Sequence, residues 1–219
     1  ANPILSKANE LVVELPGDKK LFASLFVKAP GGYVTDEEAV ETTLIENWGA
    51  YIGRMHRLTK AYRPPQNILP RQQWAKDESL AMALRSHEKE DSVPYARLCE
   101  LLDWMRSLPV TEDCYGLIHA DLHRGNFFIS DKRIMAFDFD DSVYQWFSYD
   151  LVAPLNSVQS ESSEGVWTEE KEQILSKFLT GYRRENHLTE IWLKRIAIFD
   201  KYRAAIVYHW IKTFTKEGI

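Results

Sequence analysis

Cysteine is almost missing from this chain: Cys99 and Cys114 are the only two among 219 residues. They match no Cys-x-x-Cys spacing, so neither a disulfide framework nor a cysteine-based zinc site is indicated. A reduced, cytoplasmic setting is the expectation. Nothing approaches the roughly 18 consecutive apolar residues of a membrane span, and no basic-then-apolar signal pattern is present. A run of Lys and Arg is also lacking, and the net charge is −5, which argues against nucleic acid as the main partner. There are no internal repeats and no low-complexity tract. What remains is an ordinary globular composition, 45% hydrophobic and 27% charged. A chain of this length buries about 70% of its unfolded surface and needs no staple. It suits one domain, or one large lobe with a small appendage.

The elements follow from pattern and punctuation. Residues 11–15 and 21–28 are β-prone runs around Pro16-Gly17-Asp18-Lys19-Lys20, which reads as a hairpin turn. Ala29-Pro30-Gly31-Gly32 breaks the pattern as a linker. Thr35, an N-cap followed by Asp36-Glu37-Glu38, opens one long helix that runs to Pro64-Pro65. Its buried stripe would be Val40, Leu44, Trp48, Ile52, Met55 and Leu58. A short helix near 78–85 and an amphipathic one over 95–108, with Leu98, Leu101, Leu102 and Met105 inward, come next. Ser130-Asp131-Lys132-Arg133 is a tight turn between two strands, and 159–165 a polar loop. Helices over 168–184 and 189–214 finish the chain. The expected layout is a small β element (1–28), a linker (29–34) and a helical lobe (35–219) with an inserted β-hairpin.

Chemistry concentrates in residues 119–141, His-Ala-Asp-Leu-His-Arg-Gly-Asn-Phe-Phe-Ile, a turn, then Met-Ala-Phe-Asp-Phe-Asp-Asp. Unpaired carboxylates on a buried strand pair cost several kcal/mol each, so a cation or hydrogen-bond partners must compensate. Three arrangements use these residues. His119, Asp121 and His123 alternate and would share one face of a strand as zinc ligands of a metallohydrolase, which leaves Asn126 and Asp138 unexplained. An apolar strand ending in Asp138-x-Asp140 resembles the nucleophile motif of haloacid-dehalogenase-type phosphatases, yet the residues after it look helical rather than alternating. An Asp, an Asn five residues on and an Asp after the next strand form the phosphoryl-transfer arrangement of protein-kinase-like enzymes. The first Asp orients a hydroxyl and accepts its proton, while the Asn oxygen and the second Asp are hard ligands for Mg²⁺.

Residues 119–126 resemble the His-Gly-Asp-Leu-His-x-x-Asn signature of the aminoglycoside phosphotransferase and choline kinase superfamily, with Ala120 in place of the usual Gly. Residues 135–141 resemble its Ile-Asp-Phe-Asp-Asp segment, Met55-His56-Arg57-Leu58 its Leu-His-x-Leu helix, and Asp150-Leu151 its later Asp-Leu. The matches lie in family order across about residues 20 to 210. The resemblance implies an α+β, protein-kinase-like fold: a mostly helical C-terminal lobe with an inserted catalytic β-hairpin, plus a remnant hairpin of the N-terminal lobe. It implies a kinase that moves the γ-phosphate of ATP, with GTP the alternative, to a hydroxyl of an aminoglycoside, amino alcohol or related metabolite. A non-catalytic binding lobe, or pseudokinase, is the competing reading.

Carried onto this sequence, the resemblance makes Asp121 the base and Asn126 and Asp138 the Mg²⁺ ligands. Asp140 serves metal or substrate, or merely holds the loop; Asp141 caps or anchors the loop. His119 packs beneath the loop, His123 could approach substrate, and Arg124 is solvated or touches phosphate. Asp150 accepts backbone N–H groups of the catalytic loop. Val27 and Ala29 in the hinge, with Phe128 and Phe137 below, would hold the nucleotide. Tyr144, Trp146 and Tyr149 could form an aromatic wall for a cationic or ring substrate. Such an enzyme also has a glycine-rich hairpin, a strand Lys and a helix Glu. Lys28 with Glu37, Glu38 or Glu41 invites that assignment, but no further hairpin or hinge separates it from Asp121. Residues 11–28 are therefore placed as the last strands of the small lobe. The expectation is a chain that starts inside that lobe, stops short of the family's end, and transfers phosphate poorly by itself.

Overall fold

A computed structural model describes residues 2–17, 20–87, 92–158 and 165–216. Near the start, β1 (Pro3–Ile4) pairs antiparallel with β4 (Leu25–Phe26), and β2 (Val13–Leu15) with β3 (Leu21–Ala23). The run expected as one strand over 21–28 thus divides at Ser24, and its halves pair with different partners. Asp18 and Lys19 of the expected turn lie outside the described residues. These strands leave Leu15, Leu21, Phe22, Leu25 and Phe26 exposed.

The helix expected from Thr35 is two. Thr35 and Glu38 form a reciprocal capping box for α1 (Asp36–Ala39), and α2 (Thr42–Ala61) restarts after Glu41, whose backbone is extended. Val40 and the β-branched pair Thr42-Thr43 propagate a helix poorly, so the break falls there. Val40 is consequently exposed rather than part of the stripe, and Leu58 is exposed too; Leu44, Trp48 and Ile52 are buried.

The stripe of α2 meets α7 (Glu169–Tyr182) at backbone contact. A Cβ on Gly49 would lie 1.9 Å from the Phe178 carbonyl oxygen, and one on Gly181 1.7 Å from that of Glu46. Glycine costs a helix interior about 1 kcal/mol against alanine; here no other residue fits. Between them Trp48 packs edge-on against Phe127, with ring centroids 4.7 Å apart. The core of the helical lobe therefore runs up to the first strand of the catalytic hairpin.

That hairpin joins β6 (Phe127–Ser130) to β7 (Arg133–Ala136), with Ser130 opposite Arg133. Asp131 and Lys132 both take positive φ, 49° and 63°, the two-residue turn whose twist suits a hairpin. Beside it, β5 (Tyr115–Ile118) pairs antiparallel with β8 (Val143–Trp146). α3 (Glu78–His87) and α4 (Ser92–Arg106) precede these strands; α5 (Phe147–Asp150) and α6 (Val152–Val158) follow them. The expected last helix is also two, α8 (Glu190–Leu193) and α9 (Ile196–Lys216). Of the polar loop over 159–165, only Gly165 is described, at φ 73°. Among the described residues, no helix is long and apolar enough to cross a membrane.

Candidate active site

Residues 119–126 leave β5 as an irregular loop, so the alternation that would aim His119, Asp121 and His123 one way is not there. The loop is held from beneath by one buried carboxylate. Asp150, at the end of α5, accepts from the Ala120 N–H at 2.7 Å and the His119 N–H at 3.4 Å. His56 of α2 reaches the same carboxylate through Nε2 at 2.9 Å. Its Nδ1 lies 2.9 Å from the Tyr182 hydroxyl, which accepts from the Asn186 amide at 2.8 Å. Asp150, His56 and Tyr182 are all 0% exposed. Burial pushes the Asp150 carboxyl up, but the bond and charge of His56, the His119 imidazole and the Ala120 N–H outweigh it and hold it below the usual range.

Ala120 has φ 70°, the left-handed region, where the added methyl group is strained rather than neutral. This turn lifts Asp121 out of the strand direction into a cavity of about 690 Å³, which Asp77, Asp141, Gln145, Tyr149 and Arg203 also line. Asn126 donates through Nδ2 to the Asp121 carbonyl at 2.9 Å and lies 3.4 Å from Oδ2 of the same residue. The orientation of its amide is thereby fixed. The Asn126 carbonyl accepts from the Phe137 N–H at 3.0 Å, which sets Asn126 one residue short of Asp138 across the hairpin. Asp138 is exposed and has φ 62°.

His119 is 1% exposed and its Nε2 lies 3.1 Å from the Phe137 carbonyl oxygen, tying the loop to the end of β7. His123 accepts from the Gly125 N–H through Nδ1 at 3.0 Å, so its Nε2 carries the proton and lies 3.6 Å from Asp121 Oδ2. His119, Asp121 and His123 do not come together as the zinc triad. Among the described residues, no three His, Cys, Asp or Glu gather as a metal cage. Asn126 and Asp138 are instead a hard-oxygen pair of the kind that shares Mg²⁺ or Ca²⁺ with phosphate oxygens and water.

The other expected residues separate clearly. Asp140 is exposed, and its carbonyl accepts from Arg71 at 2.9 Å. Arg124 pairs with Asp36. Phe128 and Phe137 stack edge-on at 4.7 Å, and Tyr33 closes a trio at 4.7 Å from Phe128. The linker is anchored there: Gly32 and Ile129 exchange backbone bonds of 3.2 and 2.9 Å, and Gly31 sits at φ 96° with no room for a Cβ. Val27 is exposed and Ala29 half-buried beside this trio. The aromatic wall is a correction. Trp146 is buried and bonds the Pro109 carbonyl at 2.9 Å, the Tyr144 N–H donates to the Gln72 carbonyl at 2.9 Å, and of the three only Tyr149 lines the cavity. Strand alternation on β8 turns the others away.

Two charged cavity residues, Arg203 and Asp77, escaped the sequence reading. Arg203 of α9 pairs with Asp121 Oδ1 and donates to the Ala120 carbonyl at 3.2 Å. Nothing linear marks it among 27 basic residues. Asp77 caps α3 through the Leu80 N–H at 3.2 Å, and its cap position before that helix was a legible signal. Asp141, read as a loop anchor, faces the cavity. Burial pushes its carboxyl up, the negative charges of Asp121, Asp77 and Asp138 push it further, and Arg203 offsets part of this. Burial and the facing Asp121 likewise move the Tyr149 hydroxyl up to about 12, against the Arg203 guanidinium.

A helical lobe bearing a loop braced by a buried carboxylate, with a β-hairpin beside it, is the protein-kinase-like phosphotransferase fold. The chain belongs to the phosphotransferase enzyme family, whose profile matches residues 10–187. It is 37% identical over 190 residues to the amicoumacin kinase of Bacillus subtilis (strain 168), covering 84% of this chain and 55% of that protein. The solved structure of amicoumacin kinase hAmiN with AMP-PNP, Ca²⁺ and Ami superposes with a TM-score of 0.82 at 34% identity, over 95% of this chain and 63% of that one. A microcompartment-associated aminopropanol kinase shares the fold, with a TM-score of 0.66 at 21% identity, over 95% of this chain and 71% of that one. The chain thus spans about half the length of the curated relative it matches.

Proposed function

We propose that this protein is a small-molecule kinase that transfers the γ-phosphoryl group of ATP to a hydroxyl of a small acceptor. The observation that carries the reading is the fixed Asp121–Asn126 pair, with Asp121 lining the 690 Å³ cavity and the Asn126 carbonyl bonded to Phe137, the residue before Asp138. The acceptor hydroxyl gives its proton to Asp121 as its oxygen bonds to the γ-phosphorus, and the bridging oxygen leaves with ADP. Arg203 holds one oxygen of Asp121 so that the other faces the hydroxyl. Asn126 and Asp138 would hold a divalent cation, which supplies neutralisation of the triphosphate charge. The adenine lies against Phe128 and Phe137, under backbone groups of Val27 and Ala29. Amicoumacin, the acceptor named for the relative in Bacillus subtilis, is the first acceptor to try.

The test couples ADP release to acceptor addition. Asp121→Asn is expected to lower kcat by about 10²–10⁴-fold while nucleotide still binds. Undiminished turnover in that variant sinks the assignment. Binding of nucleotide and acceptor without any ADP release identifies a non-catalytic binding lobe. Hydrolysis of a phosphomonoester without nucleotide, dependent on Asp138, returns the phosphatase reading.

A further inference from the structure

A polar atom in a cavity wall costs free energy unless something bonds it. Along β8, strand alternation turns Val143 and Gln145 into the cavity beside Asp121. Gln145 is 3% exposed, and its Nε2 has no hydrogen-bond partner among the described residues. Its backbone is fully used in the β5–β8 ladder, opposite Gly116, so the strand would stand with an apolar side chain in its place. A buried amide nitrogen that bonds nothing among the described residues is therefore explained by what enters the cavity.

We propose that Gln145 is a specificity-determining residue of the acceptor site, its side-chain amide donating to an oxygen of the acceptor. The proposal rests on the kinase reading of the same cavity. Charge decides which oxygen. Asp77, Asp121 and Asp141 line the same walls, against the guanidinium of Arg203. A carboxylate or phosphate of the acceptor is repelled from such walls, so the oxygen is neutral, a carbonyl or a hydroxyl. Tyr149 and Tyr202 add ring surface to the same walls. Asp121 then selects the hydroxyl that reacts, while Gln145 reads a second oxygen that does not.

Gln145→Leu and Gln145→Glu test this, with calorimetric binding of amicoumacin, ADP release and thermal melting measured on the same preparations. Gln145→Leu is expected to weaken amicoumacin binding about ten- to a hundredfold, with the KM for ATP unchanged and melting no lower than wild type. Gln145→Glu is expected to weaken it at least as much, because a carboxylate repels the oxygen that the amide attracts. Unchanged amicoumacin affinity in a folded Leu variant overturns the proposal. Tighter binding by the Glu variant does so too, since it would put an ammonium group at that point. A Leu variant that melts below wild type shows a structural bond and overturns it without any ligand. Wild-type protein that binds no amicoumacin overturns it as stated. Wild-type protein that binds amicoumacin but releases no ADP sinks the kinase reading alone, and the affinities of the two variants still decide the role of Gln145.

Discussion

Asp150 and Asp141 lie on opposite sides of the loop that carries Asp121, and their carboxyls move in opposite directions. Asp150 is completely buried and held below the usual range; Asp141, more open to solvent, is pushed above it. Burial works against the charge at both. Below the loop, one carboxylate meets an imidazole and two backbone N–H groups, and the charge is satisfied. Above it, several carboxylates share one guanidinium. The underside is a finished network that fixes geometry. The upper side is under-neutralised, as a surface that receives partners must be.

The sharpest way to break this contrast is Asp150→Ala. It leaves His56 and two loop N–H groups without their acceptor, and removing one member of a buried pair costs about 3–5 kcal/mol. Urea denaturation should show that loss; a loss under about 1 kcal/mol would mean that the loop holds itself. A smaller effect concerns acid titration. The depressed Asp150 contributes stability above the ordinary carboxylate pKa of about 3.9, lost as pH falls through its folded value. The raised Asp141 does the reverse: the folded state takes its proton first, so stability gains as pH falls through its folded value toward that of the unfolded chain. NMR titration should find Asp141 protonating before Asp150. Asp141→Asn should remove the acid-side gain and change stability at neutral pH by about 0.5 kcal/mol or less. A comparably small effect is expected of Ala120→Gly, which relieves a left-handed backbone and should stabilise by roughly 0.5 kcal/mol. A destabilisation there would mean that methyl packing outweighs backbone strain at the loop's turn.

The same contrast explains what could be read from the sequence. Asp121, Asn126, Asp138 and Asp150 lie close along the chain in fixed order, so the phosphotransferase family and the kinase-like fold were legible there. Arg203 comes to Asp121 from 82 residues away, and only the packing of α9 brings it. The break at Val40 and Glu41 was hidden because apolar spacing continues across it, while the Gly49–Gly181 contact decides where α2 must lie. The aromatic wall failed for a local reason. Tyr144, Trp146 and Tyr149 are neighbours in sequence, yet a strand sends alternate side chains to opposite faces. The residue that this alternation does deliver to the cavity, Gln145, looks unremarkable in a list of letters.

One helix face holds a last consequence. Tyr202, Arg203, Ile206, Val207 and Trp210 of α9 all line the cavity. Asp200, a turn earlier, is locked to the wholly buried Lys171 at 2.7 Å. The helix that walls the cavity therefore also carries the guanidinium that pairs with Asp121. A lineage adapting this pocket to a new acceptor by turning or sliding α9 would shift Asp121 at the same time. Adaptation by side-chain replacement on β8 or at Trp210 leaves Arg203 in register, so new preferences should arise there first, with the anchored end of α9 kept as it is.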